Sequence, residues 1–308
     1  MATKNSDNLE RLINDDILGT QPPIPTTSGE KTYSDEERAD VNNILVTIGE
    51  GIPTVILYAP QSSGKTMVLL RMIRYLQRRN YQIIPDGNFR DAHDAHYQRM
   101  CKGLLTMAHS EYAPGGNDTI SFMLARVVDK SGRTICQFLE APGEHYFDGK
   151  EDHVYPTYIN NIIHAQNNRR IWVFFTEPNW GNNQPQRTAY AQNIINLYPS
   201  IHQPGLIPDK VIFLFNKADL YPHLYNNKNG HSFPNINSFY KEINNYYPGI
   251  FDDYIRTGLA RLLFGKYNFH AVPFSAGAFT KTEDGRSTWQ PSNDWYCQQL
   301  WRAIQSCL

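Results

Sequence analysis

The chain of 308 residues contains no continuous apolar stretch of membrane-spanning length, and its opening MATKNSDN lacks the apolar centre of a secretory signal. Cysteine is scarce: Cys101, Cys136, Cys297 and Cys307 are the four, and none forms a CxxC pair. No paired-thiol motif organises the chain, so reduced thiols are expected, and Cys307 in the terminal QSCL is wrongly placed for prenylation. Neither charge sign predominates. With 29 basic and 30 acidic residues the formal net charge is -1, which gives no electrostatic reason to expect nucleic acid or an anionic membrane as partner. Arg71, Arg74, Arg78 and Arg79 fall on one face of an expected helix and read as a solvated face. Internal repeats and low-complexity tracts are also missing. These absences point to a cytoplasmic protein without a transmembrane segment or a nucleic-acid partner.

What is present suffices for a core: 41% of residues are hydrophobic and 13% aromatic. Leu9, Leu12, Ile13 and Ile17 have helical spacing, and the linker QPPIPTTSGEKT follows them. Ser34 and Glu37 form a capping-box pattern, after which Val41, Ile44, Leu45 and Ile48 make a second helical stripe ending at Gly49 and Gly51. Residues 1–51 therefore read as a helical extension, and 52–308 as the main domain. From Thr54 the pattern changes to TVILYA, TISFMLARVV, TICQFLEA, RIWVFFTE, KVIFLFNK and FHAVPFSA, apolar runs with helical stretches between most of them. That alternation predicts an α/β domain with a mostly parallel six-stranded sheet and helices on both faces. TISFMLARVV and TICQFLEA are joined only by DKSGR, too short for a helical crossover. They should form an antiparallel hairpin at one edge.

Between the first strand and the helix KTMVLLRMIRYLQRR lies Ala59-Pro60-Gln61-Ser62-Ser63-Gly64-Lys65-Thr66. This fits a phosphate-binding loop in which Ala59 replaces the usual first glycine. Consecutive backbone N–H groups of Gln61, Ser62, Ser63 and Gly64 can wrap a phosphate, Lys65 can reach the β- and γ-phosphates, and the Thr66 hydroxyl can ligate Mg²⁺. The positive end of the helix dipole adds to the attraction. The loop alone specifies a nucleoside triphosphate and no particular base.

The base is addressed by FLFNKADL, where an apolar strand ends in Asn216-Lys217-Ala218-Asp219. Guanine offers two donors on one edge, and a single carboxylate can accept from both. Adenine offers an acceptor there, which Asp219 would meet with a lone pair. Lys217 can lay its stem along the base, and Asn216 can tie this loop back to the phosphate loop. With both motifs in this order, residues 52–308 resemble the Ras-like and translation-factor class of P-loop GTPases. The resemblance implies a G domain that binds GTP or GDP with Mg²⁺, and it gives Ser275-Ala276 the role of the final base-contacting element.

By the same resemblance, Leu139-Glu140-Ala141-Pro142-Gly143-Glu144-His145 corresponds to the Asp-x-x-Gly segment that opens the second switch. Gly143 would donate its N–H to the γ-phosphate, and Glu140, standing where the family has aspartate, would hold a Mg²⁺-bound water. Thr119 would be the first-switch threonine that completes the metal shell. Hydrolysis needs a residue to orient water and a positive group to meet transition-state charge. Glu144 occupies the position where the family often has glutamine or histidine, so turnover should be slow, with His145 or Gln61 as the substitute beside Lys65. Arg90 and Arg99 are the arginines within reach. Asp91, His93, Asp94 and His96 read as a polar helix start rather than a metal site. The two switch loops are the expected surfaces for a protein effector or regulator. The resulting expectation is a slow GTPase acting as a switch. A degenerate GTPase-like scaffold is the alternative, and an ATP-using kinase or ATPase is disfavoured by Asp219.

Overall fold

A computed structural model of the chain describes residues 40–114, 122–150, 153–165, 167–177, 184–201, 209–221, 236–264, 266, 268–283 and 285–308. In chain order the strands and helices are β1 (Thr54–Tyr58), α1 (Lys65–Gln77), β2 (Gln82–Pro85), α2 (Ala95–His109), β3 (Met123–Val128), β4 (Thr134–Glu140), α3 (Thr157–Ile163) and β5 (Arg170–Thr176). They continue as α4 (Gln184–Ile201), β6 (Lys210–Phe215), α5 (Ile236–Tyr246), α6 (Gly258–Phe264), β7 (His270–Pro273), β8 (Gly277–Lys281), β9 (Ser287–Pro291) and α7 (Asp294–Cys307).

The main sheet has the order β2-β3-β4-β1-β5-β6-β7, and β8 pairs with β9 in a separate two-stranded ribbon. β1 is parallel to both β4 and β5, and β5, β6 and β7 continue in parallel. Every residue of β1 and β5 is buried. Because successive side chains on a strand point to opposite faces, that pattern means both faces of the sheet are covered here. α1 contributes Val68, Leu69, Leu70, Met72, Ile73, Tyr75 and Leu76 to the core. Asp94 starts α2 by accepting from Tyr97 N at 3.1 Å, and Asn293 starts α7 by accepting from Trp295 N at 2.8 Å. No helix among the described residues is long and apolar enough to cross a membrane.

Several expectations need correction. The main sheet has seven strands rather than six. β2 is short and polar at its start, so it carries little apolar signal, yet it forms the sheet edge. The β3–β4 hairpin exists, but β3 is the antiparallel strand one place in from that edge, flanked by β2 and β4. The expected helix across Val41–Ile48 is a single 3₁₀ turn, Val41–Asn43. After it Ile44 is buried, Leu45 is exposed and Val46 bridges to Arg90. The expected helix at Leu9–Ile17 and the Ser34–Glu37 capping box lie outside the described residues.

Nor is the arginine row a solvated face. Arg71 is buried and donates to Asp294 Oδ1 and Ser292 O, both at 2.6 Å. Arg74 stacks its guanidinium 4.0 Å from the Trp289 ring centroid. Only Arg78 and Arg79 are exposed.

A second buried pair fixes the sheet's far half. Asp209 accepts from Arg170 Nε at 2.9 Å and from Trp172 Nε1 at 2.8 Å, so it joins the approach to β6 with β5. All three residues are buried, and burial pushes the Asp209 carboxyl above its ordinary range despite the arginine. Asp209→Ala would strand the Arg170 charge in the interior. It should cost about 3–5 kcal/mol of stability, read as a lower urea midpoint at unchanged slope.

Candidate functional site

The loop from Ala59 to Gly64 leaves β1 at its carboxyl end and turns directly into α1. Ser62 and Gly64 both take left-handed φ values, 61° and 87°. Such turns aim successive backbone N–H groups inward and make an anion-binding concavity. The Ser63 hydroxyl closes the turn on Pro60 O at 2.6 Å. Lys65 is buried, and its ammonium donates to Ala59 O and Pro60 O, each at 3.1 Å. Burial pushes Lys65 down to about 8, while the Glu140 and Glu144 carboxylates pull the other way.

A cavity of about 320 Å³ opens over this loop, lined among others by Gln61, Ser62, Gly64, Lys65, Thr66, Gly143 and Glu144. Thr66 Oγ1 donates to Glu140 Oε1 at 2.6 Å, so the extra methylene of glutamate does not keep its carboxylate from the threonine. A hydroxyl and a carboxylate side by side are hard oxygen donors of the kind Mg²⁺ takes, with waters and phosphate oxygens completing its shell. Among the described residues no group of three or more His, Cys, Asp or Glu could hold a metal without such help.

A second cavity, about 360 Å³, shares Gly64 and Met67 with the first and is lined by Asn216, Lys217, Asp219, Leu220, Ser275, Ala276 and Phe279 among others. Its loops are clamped to one another. Asn216 Nδ2 donates to Ser63 O at 2.7 Å, and Ala218 N to Phe274 O at 2.9 Å. Lys217 adopts a left-handed φ of 53° and pairs with Glu177, at the end of β5, at 2.9 Å. Burial raises Glu177 above its ordinary range in spite of that lysine. Ser292 holds the Ser275-Ala276 turn by donating its hydroxyl to Ser275 O at 2.5 Å and its N–H to Ala276 O at 3.1 Å. The Asp219 side chain is left exposed at the cavity.

Most of the sequence-marked residues thus gather into two adjoining cavities, whereas His145, Arg90, Arg99 and Glu140 line neither of them. His145, expected beside the phosphate, is buried: its Nδ1 meets the Tyr158 hydroxyl at 2.7 Å and its ring lies edge-on to Phe122. It follows Gly143 within one 3₁₀ turn, which rotates it away from Glu144 and into the core. Arg90 is buried as well, ion-paired with Asp94 and set over the Tyr97 and Phe122 rings. Arg99, by contrast, lines a third cavity together with Thr66 and Glu140. Thr119 lies outside the described residues. Sequence reading missed Glu177, whose only signal is its place at the end of a buried strand, and Phe279.

Gly143 meets the loop before α1 backbone to backbone. A Cβ there would stand 2.0 Å from Gln61 N and 2.2 Å from Pro60 C, neither of which can swing aside. Gly143→Ala should therefore force the turn off the loop and lower stability by about 1–3 kcal/mol, checked by chemical denaturation.

No family model matches the chain, and no curated protein matches it. Among solved structures it is similar to nucleolar GTP-binding protein 1 from Plasmodium falciparum, at 14% identity over 75% of this chain and 81% of that one, with a TM-score of 0.34. The GTPase-like domain of S. cerevisiae Ski7, bound to GTP, gives 14% identity over 74% of this chain and 43% of its own, with a TM-score of 0.35. Sup35 complexed with GDP gives 11% identity over 84% of this chain and 45% of its own, with a TM-score of 0.32. With identities this low and superpositions this loose, the functional reading rests on the chain's own residues and their spacing.

Proposed function

We propose that the chain binds guanine nucleotide across the two adjoining cavities, hydrolyses GTP slowly and uses bound GTP as a conformational switch in the cytoplasm. The observation that carries this reading is the buried Asn216–Ser63 bond, which sets the base-side loop against the phosphate loop at 2.7 Å. In this reading the backbone N–H groups of Gln61 to Gly64 and the Lys65 ammonium hold the phosphates. Asp219 accepts from the guanine edge, and Ser275-Ala276 presents backbone from the facing turn. Thr66 and Glu140 would hold Mg²⁺, which supplies charge neutralisation at the phosphates when bound. In this reading Gln61, exposed on the rim, orients the water, since His145 is turned into the core. Glu144 lines the phosphate cavity, and a carboxylate there repels an incoming phosphate. That favours slow turnover, with an effector or regulator acting at the switch loops.

The same glutamate favours a second reading, a GTPase-like scaffold with little or no hydrolysis. Titrating GTP and ATP separately and then following phosphate release distinguishes the two. Tight GTP binding with slow release supports the switch, binding without release supports the scaffold, and preference for ATP overturns both.

Base selection is checked by Asp219→Asn, whose amide would donate to the carbonyl of xanthine where the carboxylate accepted from guanine. Preference should move from guanine toward xanthine nucleotides by about a hundredfold, read by titrating the two against the variant. The Lys65 environment predicts a pH dependence. In the free protein this lysine titrates at about 8, and a polyphosphate beside it must raise that value. Affinity should therefore be flat below pH 8 and fall above it, by up to about tenfold per pH unit, until the raised value of the complex is passed. Calorimetry at pH 9 in buffers of different ionisation enthalpy should then show proton uptake on binding; its absence would remove Lys65 from the phosphates.

A further inference from the structure

The β8–β9 ribbon follows directly on the Ser275-Ala276 turn and has no counterpart among the sequence expectations. It is fixed at its base and along its outer edge. Gly277 begins it at a φ of 129°, where a Cβ would stand 2.0 Å from Gln290 O, so its two strands touch at the backbone. Trp289 donates its indole N–H to Ala276 O at 3.0 Å and lies under the Arg74 guanidinium. The outer edge of β9 is paired with the segment after α2: Trp289 N donates to Glu111 O at 2.7 Å and Ala113 N to Ser287 O at 2.8 Å.

Phe279 pairs directly with Trp289 across the ribbon, and such cross-strand partners project from the same face. Trp289 is only 4% exposed and anchors that face. Phe279 is 48% exposed and lines the cavity that also holds Asp219, Leu220 and Met67. An exposed ring is ordinary on most surfaces. This one stands on a braced ribbon, beside an exposed carboxylate, and among the described residues is the one aromatic side chain in a cavity whose other walls are Lys217, Asn216 and aliphatic or small residues. A flat heteroaromatic base needs both: donors on its edge met by the carboxylate, and an apolar partner for its face.

We propose that Phe279 packs against the face of the bound base and so supplies the affinity that Asp219 converts into selectivity, an inference that rests on the guanine-nucleotide reading above. The ring contributes to any base alike; the carboxylate discriminates between them.

The test uses the full chain and its Phe279→Ala, Phe279→Trp and Asp219→Asn variants, with GDP and inorganic tripolyphosphate as separate probes in calorimetry. Phe279→Ala should weaken GDP about tenfold and leave tripolyphosphate within about twofold of the parent, because the latter has no base. Phe279→Trp should keep GDP affinity, and its new indole emission should be quenched as GDP is added. If Asp219→Asn weakens GDP while Phe279→Ala does not, the base is read as argued but the ribbon does not touch it, and this inference alone is overturned. If Phe279→Ala weakens tripolyphosphate equally, the ring acts on the fold and the inference is overturned. If the parent chain binds tripolyphosphate but shows no preference for GDP, the guanine reading falls and takes this inference with it.

Discussion

Asn216 donates its side-chain amide to the carbonyl of Ser63 in the interior of the protein, and the relation between the two cavities depends on that bond. The strands that deliver the two loops, β1 and β6, do not pair with each other; β5 lies between them. The ladders through β5 space the strand ends, but they do not join the loop after β1 to the loop after β6. A side chain has to reach across, and it must be one that can donate, since the exposed lone pair belongs to a loop carbonyl. An unpartnered carbonyl at that depth would cost about 1–3 kcal/mol, so the bond positions the loop and satisfies it at once.

The charges around the two cavities are arranged unequally. In the first cavity Lys65 is held by two neutral carbonyls, with Glu140 and Glu144 acting on it through space, and the Glu140 carboxylate is instead engaged by Thr66. In the second cavity Lys217 is already matched by Glu177, leaving Asp219 as the exposed acid. Among the described residues one cavity thus presents an ammonium with no carboxylate at ion-pair distance, and the other an exposed carboxylate. A molecule with an anionic end and a donor-bearing end answers both, and an inorganic anion answers only the first.

Much of this was legible in the sequence, for identifiable reasons. β1 and β5 are wholly buried and β4 and β6 nearly so, so their runs are mainly apolar and their limits fall within a residue or two of expectation. The loop before α1 combines small residues with Lys65, a pattern with few other uses. What stayed hidden depended on contacts remote in sequence. β2 is recognisable only through its partner β3, and Arg71 looks like a surface arginine until Asp294 arrives from the last helix. His145 illustrates the opposite error: its neighbours in sequence suggested chemistry, whereas its neighbours in space, Phe122 and Tyr158, make it part of the core.

The central position of β1 has a consequence for how the chain reaches its native state. Thr54 pairs with Gln137, a separation of 83 residues, and with Arg170, which is farther still. The middle of the sheet can therefore close only after long stretches of chain have been brought together, and such topologies fold slowly. During synthesis the first strand and its loop emerge well before either neighbour exists. Until those neighbours dock, β1 is a bare apolar ribbon with two open edges, the kind of segment on which molecular chaperones act.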